Sequence, residues 1–460
     1  MKGVVVAELR GAGLVLEVVE QGSRVEERDG SDAKWHSCSL DAADAIGCET
    51  TQQSGERMNM ANSTNSTETG LQEARLGWLA LVLSPRMGPT RCARAVERLG
   101  SADRVFAASL TELEGAGLPA EAAQFCFDGL AREAALKEAA HTAEQQAGYL
   151  TPEDEAYPQR LLEIYDPPPV LWVRGNLKLL NRAGIAVVGT RQPSPYGSGM
   201  AEVISRDLAR RGMVVMSGMA RGVDTCAHKG ALDAGGATVA VWGTGIDVIY
   251  PKENKRLAEQ IVAQGGAIVT EFPLGTFPAP QNFPIRNRTL SGMSVGVLVV
   301  EAAEYSGTRI TARCALEQGR DVYAVPGNAT NKNAWGPNTL IKQGAKLTAT
   351  WEDIWEDLPS QVRVQLEDEL QAQVAGKAAN ESFGGDSASL FSEVASAPPL
   401  SEHERLVMQE LRQDEALQLD ELIERLEAKM VSGEIFTALF ELELAGRVKQ
   451  MPGKNYVRCF

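Results

Sequence analysis

Between Ala183 and Thr350 the chain sets down six apolar runs, each closed by a small or polar residue: IAVVG (185–189), MVVMSG (213–218), ATVAVWG (237–243), AIVTE (267–271), VGVLVVE (295–301) and VYAVPG (322–327). Runs this continuous are buried on both faces. Alternating with helical stretches such as Gly197–Arg211 and Ile310–Gln318, they predict an α/β fold, a doubly wound, mainly parallel Rossmann-like sheet with helices on both sides. Such sheets bind their ligands outside the carboxyl ends of the strands. The residues that follow each run are therefore the candidates for a site.

Those residues suit an anion. Gly189, Thr190 and Arg191 follow the first run, and Tyr196-Gly197 opens the next helix, whose N–H groups would face a phosphate. Ser217 and Gly218, with Arg221 and Gly222, repeat the pattern after the second run, and Ser306, Gly307 and Thr308 supply a third turn after the fifth. Three such turns on one edge make a concave anion site. The chain has no GxxxxGK[ST], and its first turn reads GTRQPSPYG instead of GxGxxG, so neither a P-loop hydrolase nor a dinucleotide enzyme fits. Neither a cofactor nor a metal is expected. Asp224 and His228, four apart on a predicted helix, could form an acid/base pair or serve as a cap and a buried histidine. Glu301 is the better catalytic candidate, its alternative role being to orient nearby arginines.

The stretch FPIRNRTLSG narrows the choice of anion. Arginine forks suit phosphate oxygens, asparagine can bond a base edge, and an aromatic ring stacks on any unpaired base. Phe283, Arg286, Asn287 and Arg288 thus describe a single-stranded nucleic acid, unless the two arginines pair with internal carboxylates such as Glu271 or Glu301. Charge distribution favours the first reading. The whole chain is acidic, with 45 Lys+Arg against 61 Asp+Glu, yet residues 181–350 hold 18 basic and 12 acidic side chains, which leaves 27 against 49 elsewhere. Lys252 and Lys255 would extend a basic track along the same edge.

The flanks are read as separate modules. Residues 1–70 are expected to form at most a short hairpin followed by a disordered polar stretch, and Met58 or Met60 could be the natural start. Residues 71–150 predict a small domain of four or five helices, 151–357 the Rossmann-like domain, and 358–400 a linker, partly helical. Residues 401–460 give helix, turn, helix, a longer helix from about Val431 to Ala445 and two short strands around Pro452-Gly453, a winged-helix order. Its third helix carries Glu434, Glu441 and Glu443 and no basic residue, so it would repel phosphate; Lys449, Lys454 and Arg458 near the wing are its only cations toward a backbone. That module is read as a protein-interaction or regulatory one. Scattered cysteines and the lack of a long apolar run point to a cytoplasmic protein without a membrane span.

The blocks VVGTRQPSPYG, SGMARGVDTCAHKGAL, GTGIDVIYPKENKRL, TEFPLGTFPAPQNFPIRNRTLSGMS, VVEAAEYSGTRITARCALEQGRDVYAVPGN and GPNTLIKQGA resemble, in order, the signature blocks of the DNA-processing protein A family, DprA or Smf. The resemblance spans about Pro152 to Thr350, and the winged-helix tail is similar to an optional module of that family. It implies a homodimer that binds single-stranded DNA and helps load RecA recombinase during natural transformation, in a family not known for catalysis. It places the DNA pocket on Arg191, Ser217, Gly218, Arg221, Lys252 or Lys255, Phe283, Arg286, Asn287 and Arg288. Thr190 stands where the family often has serine and keeps the hydroxyl. The competing reading is a nucleotide phosphoribohydrolase of the lysine decarboxylase-like group, but its PGGxGTxxE block is matched here only by Tyr305-Ser306-Gly307-Thr308.

Overall fold

The computed structural model describes strands within residues 5–37, residues 70–381 apart from Tyr305, and residues 400–458 apart from 413–415, 428, 446 and 452. Residues 1–69 form a unit of their own. Within it, β1 (Val5–Glu8), β2 (Leu14–Val19), β3 (Gly22–Glu27) and β4 (Trp35–Ser37) pair antiparallel in chain order. This exceeds the single hairpin expected from the sequence, because the valine-rich β2 pairs on both sides. The polar stretch expected to be disordered lies outside the described residues.

The second unit is built on a nine-stranded sheet. Its strands are β5 (Gly148–Leu150), β6 (Leu171–Gly175), β7 (Gly184–Val188), β8 (Val214–Ser217), β9 (Thr238–Trp242), β10 (Ala267–Thr270), β11 (Gly296–Val299), β12 (Asp321–Ala324) and β13 (Lys346–Leu347). The order across the sheet is 13-12-11-7-8-9-10-6-5. All six apolar runs became strands, β7 to β12, and β7 through β13 are mutually parallel; β6 and β5 add an antiparallel edge. The chain walks outward from β7 to β10, then returns to lay β11 against the other side of β7. The topological switch point therefore lies between β7 and β11, which is where such sheets open a crevice.

Alternation inside β7 shows why both faces are covered. Ile185 and Val187 pack with Met200, Ile204 and Leu208 of the helix Pro195–Arg210 and with Ala227 and Ala231 of the helix Val223–Asp233. Ala186 and Val188 pack on the opposite face with Leu290 and Met293 of the helix Asn282–Met293 and with Ala312 and Ala315 of the helix Thr308–Glu317.

The N-terminal helices, 70–83, Pro89–Leu99, Leu110–Gly115, Ala120–Phe127 and Leu130–Glu144, have no core apart from the sheet. Leu79, Leu81 and Leu113 belong to one apolar cluster with Trp172, Trp242 and Ile268 of the sheet. The segment expected to be a partly helical linker opens with the helix Ser360–Glu381, which packs on the domain instead of standing apart: Leu366 is buried in the core and Glu369 pairs with Arg182 at 2.8 Å.

The tail has the winged-helix order, with helices Glu402–Glu410, Leu419–Leu426 and Ser432–Leu444 around their own apolar cluster. Its three-stranded sheet is β14 (Leu417–Gln418), β16 (Asn455–Arg458) and β15 (Val448–Met451), in that order. No described helix is long and apolar enough to cross a membrane.

Candidate functional site

A cleft of about 470 Å³ opens at the switch point, lined by Gly189, Thr190 and Arg191 after β7, Phe283, Arg286 and Asn287 of the helix Asn282–Met293, and Ser306, Gly307 and Thr308 before the next helix. Nine of the fifteen site residues proposed from sequence thus meet in one cavity. Helix geometry explains the contribution of FPIRNRTLSG. Phe283, Arg286, Asn287 and Leu290 fall at i, i+3, i+4 and i+7, one face of the helix, and that face lines the cleft.

Arg288 is two residues from Arg286 and so points about 200° away around the axis. It binds Asp166 and Glu271, each at 2.6 Å, and also donates to the Asp166 carbonyl. Thr289 donates to the other Glu271 oxygen at 2.5 Å. The Glu271 side chain is only 7% exposed; burial pushes its carboxyl above the usual range while Arg288 pulls it back. Arg288 is therefore a structural ion-pair residue and leaves the candidate set, as the internal-carboxylate alternative anticipated.

Arg286 belongs to the cleft floor. Its Nη1 donates to the carbonyls of Gly218 and, at 2.7 Å, Val241, and its Nε donates to Asn287 Oδ1 at 2.9 Å. The guanidinium thus ties the carboxyl ends of β8 and β9 together and turns the Asn287 amide. It fills the space where a Cβ at residue 218 would stand, which accounts for Gly218. Beside it lies Asp224, buried at the start of its helix and accepting from the Ala220 amide at 3.2 Å. Burial pushes the Asp224 carboxyl up, opposed by Arg286 and Arg191. Among the lining side chains the formal charges are Arg191, Arg286 and Asp224, so the cleft stays net positive whether or not Asp224 carries a proton.

Arg191 is the exposed cation of the group. Its guanidinium lies 5.5 Å from the centroid of the Phe283 ring, and the Tyr250 ring packs tilted against Phe283 with centroids 5.8 Å apart. Among the described residues no ion pair takes Arg191, Lys252 or Lys255, and all three side chains are exposed. Arg221 sits on the same rim, 3.6 Å from Glu253, with both partners exposed.

Two expectations about the rim are corrected. Ser217 is buried and its hydroxyl donates to the Val187 carbonyl at 2.7 Å, so it serves the sheet and cannot reach a ligand. The N-terminus of the helix Pro195–Arg210 is already occupied by a protein carboxylate. Glu301 accepts from the Ser194 amide at 2.8 Å and from its hydroxyl at 2.5 Å, while Ser194 caps Gly197. Glu301 is thus neither a free catalytic acid nor a partner of the arginines. Asp224 and His228 are likewise not a pair: His228 bonds Thr238 at 2.7 Å, and burial pushes its pKa down to about 3, leaving it neutral.

The loop after β8 is held in an uncommon conformation. Met219 has φ +61° and Gly222 φ +79°. A Cβ at Gly222 would lie 2.4 Å from the Thr190 carbonyl, so only glycine lets this loop seat against the Gly189–Arg191 turn. The buried Asn254 fixes the loop from behind, donating to the Met219 carbonyl and the Thr225 hydroxyl, both at 2.9 Å. Sequence reading passed over Asn254 and also Phe277, whose ring is 77% exposed on the loop after β10. An isolated aromatic in a Pro- and Gly-rich loop was the available signal for the latter.

A positively charged cleft at the switch point of a doubly wound sheet defines a Rossmann-like binding protein for an anionic ligand. Comparison with known proteins specifies the family. Residues 148–359 match the model for "DNA recombination-mediator protein A", and residues 392–454 match that for the "DprA winged helix domain". Protein Smf of Escherichia coli K12 is 42% identical over 316 residues, which cover 68% of this chain and 78% of that protein. DNA processing protein DprA of Bacillus subtilis is 44% identical over 204 residues, 44% of this chain and 68% of that one. The X-ray structure of DNA processing protein A from Streptococcus pneumoniae superposes with a TM-score of 0.54 at 34% identity, covering 60% of this chain and 96% of its own. The chain belongs to the DprA/Smf family of DNA-processing proteins.

Proposed function

We infer that the protein binds single-stranded DNA across the carboxyl ends of β7, β8, β9 and β11. The observation that carries this reading is Arg191, an exposed guanidinium without an ion partner among the described residues, set against the Phe283 ring at the mouth of a net-positive cleft. A phosphate can bind the guanidinium while a neighbouring base uses the aromatic surface, a combination that tolerates sequence. Gly189 and Gly307 let a backbone approach, and the Asn287 side-chain amide and the Thr190, Ser306 and Thr308 hydroxyls supply hydrogen-bonding groups around it; Arg221, Lys252 and Lys255 continue the cationic path. Arg286 and Gly218 position the floor. Family membership further supports a dimer that works in the cytoplasm and passes its strand to RecA, the step joining DNA uptake to recombination. The phosphoribohydrolase reading loses its acid, since both Glu301 oxygens are bound by Ser194.

Fluorescence anisotropy of a labelled ~25-nucleotide strand tests the site. The wild type should bind with log K falling by roughly 0.7 per neutralised phosphate for each decade of salt, and Arg191→Ala should weaken binding and flatten that slope by about one phosphate. Equal affinity and slope in the variant would refute the placement. Sedimentation of the free protein tests self-pairing, and RecA filament growth on protein-coated single strands tests the hand-over.

A further inference from the structure

In DNA-reading winged helices the third helix enters a groove with basic side chains. Here that helix, Ser432–Leu444, has no lysine or arginine, and it exposes two rings, Phe436 at 48% and Phe440 at 63%. They are four residues apart and so form one stripe. Glu443 borders the stripe on one side, and Glu434 and Glu441 lie around the other, all exposed. The rings contribute nothing to the module's own apolar cluster, to which this helix gives Ile435, Ala438, Leu439 and Leu442 from its opposite face. Exposed aromatics bordered by charge mark a surface that meets a partner.

We propose that this face docks on the cationic strand-end edge of its own chain, where it competes with single-stranded DNA. The inference rests on the DNA reading given above, because it assigns the tail the same chemistry as the strand: carboxylates in place of phosphates and phenyl rings in place of bases. The complement is present on the edge, with Arg191, Lys252 and Lys255 exposed and lacking ion partners among the described residues, the Phe283 ring against Arg191, and Phe277 exposed on the loop after β10. Residues 382–399, which join the helix Ser360–Glu381 to the tail, can span at most roughly 60 Å. A tether of that length gives an effective concentration on the order of 1 mM, so docking with a Kd of only ~0.1–0.5 mM would be well populated. DNA binds by displacing the helix, and apparent affinity for the strand falls accordingly.

Zero-length carbodiimide crosslinking of the full chain, read by mass spectrometry, tests the contact without relying on DNA. Glutamates of the helix Ser432–Leu444 should join Lys252 or Lys255 within one chain, and excess unlabelled 25-nucleotide strand should suppress those links. F436S/F440S should abolish them and bind the labelled strand about three- to ten-fold more tightly, the factor 1 + C/Kd for the tether above. Both rings are exposed, so this variant keeps its core; E441Q/E443Q, which spares the Glu434 contact to the Val431 amide, should give a smaller gain in the same direction. Absence of the links in the wild type would overturn the proposal. So would links found only between isotopically light and heavy copies, which would make a second copy the occupant. Links present without strand binding by any variant would confirm the contact and refute the DNA reading instead.

Discussion

Replacing Arg288 by alanine should unfold the protein more readily without removing a DNA contact. In the native state Arg288 bridges Asp166 and the buried Glu271, each at 2.6 Å. Its loss leaves Glu271 with the Thr289 hydroxyl as its remaining side-chain hydrogen bond. Removing one partner of a buried ion pair typically costs about 3–5 kcal/mol; the Asp166 end is partly exposed, so we take the lower figure, ~3 kcal/mol. For a folded unit of roughly 300 residues, whose unfolding entropy is about 2.1 cal/mol/K per residue, that corresponds to a fall in Tm of roughly 5 °C. The deficit should depend on pH with a definite sign. Burial already raises the Glu271 carboxyl, and without Arg288 it rises further, so the variant's fold binds a proton that the wild type's releases. Lowering the pH into that window therefore narrows the gap, and raising it widens the gap to its full value. Urea unfolding followed by the fluorescence of Trp172 and Trp242, both buried in the sheet, reads the loss directly. Arg191→Ala is the control: it should leave the urea midpoint unchanged while strand affinity drops. A stable Arg288→Ala protein that binds DNA poorly would show that both arginines of FPIRNR face the ligand, and the helix-face reasoning would be wrong.

Three further substitutions separate the parts of the site. Gly222→Ala forces a Cβ into the Thr190 carbonyl at a positive φ; it should lose about 1–3 kcal/mol of stability and also weaken strand binding, because the two anion-facing turns no longer seat together. Phe277→Ala should leave the melting temperature alone, since the ring is exposed, yet weaken binding by about 1–3 kcal/mol if a base stacks there; unchanged affinity in anisotropy would remove Phe277 from the path. His228→Gln should reduce the acid sensitivity of the fold. The folded-state pKa of about 3 lies below that of the unfolded chain, so wild-type stability is lost as pH falls from about 6.5 toward 3, by up to ~1.4 kcal/mol per pH unit. Parallel pH–stability curves for wild type and variant would show that the imidazole is not the titrating group.

The fold was legible because strand runs buried on both faces leave a continuous apolar signature, and each of the six runs contains an observed strand. The strand-end rule then brought Gly189–Arg191 and Ser306–Thr308 together correctly, although they are more than a hundred residues apart in sequence. Side-chain direction was not legible from residue type alone. Arg286 and Arg288 are chemically identical, and only the helical state of residues 282–293 sends one to the cleft and the other to Glu271. Ser217 misled for a similar reason: a hydroxyl at a strand end can serve a ligand or a neighbouring carbonyl, and β8 lies close enough to β7 for the second. Asn254 was invisible because its role is to hold a backbone carbonyl in a loop distant in sequence.

The filled N-terminus of the helix Pro195–Arg210 sets how the cleft can select its ligand. In dinucleotide-binding sheets the first helix after the switch point receives a pyrophosphate on its free amides. Here Glu301, from the neighbouring strand end, takes the Ser194 amide and hydroxyl and places a fixed negative charge there. A compact, highly charged phosphate group would meet that carboxylate and lose the helix terminus. A diester strand carries its single charges several ångströms apart and can pass over the Glu301 end while its phosphates meet Arg191 and the outer cations. Glu301→Gln should consequently raise affinity for free nucleoside diphosphate more than for a single strand. A substitution that strengthened both equally would show that the carboxylate acts only through net charge, and the selectivity would then have to come from Phe283 and the shape of the rim.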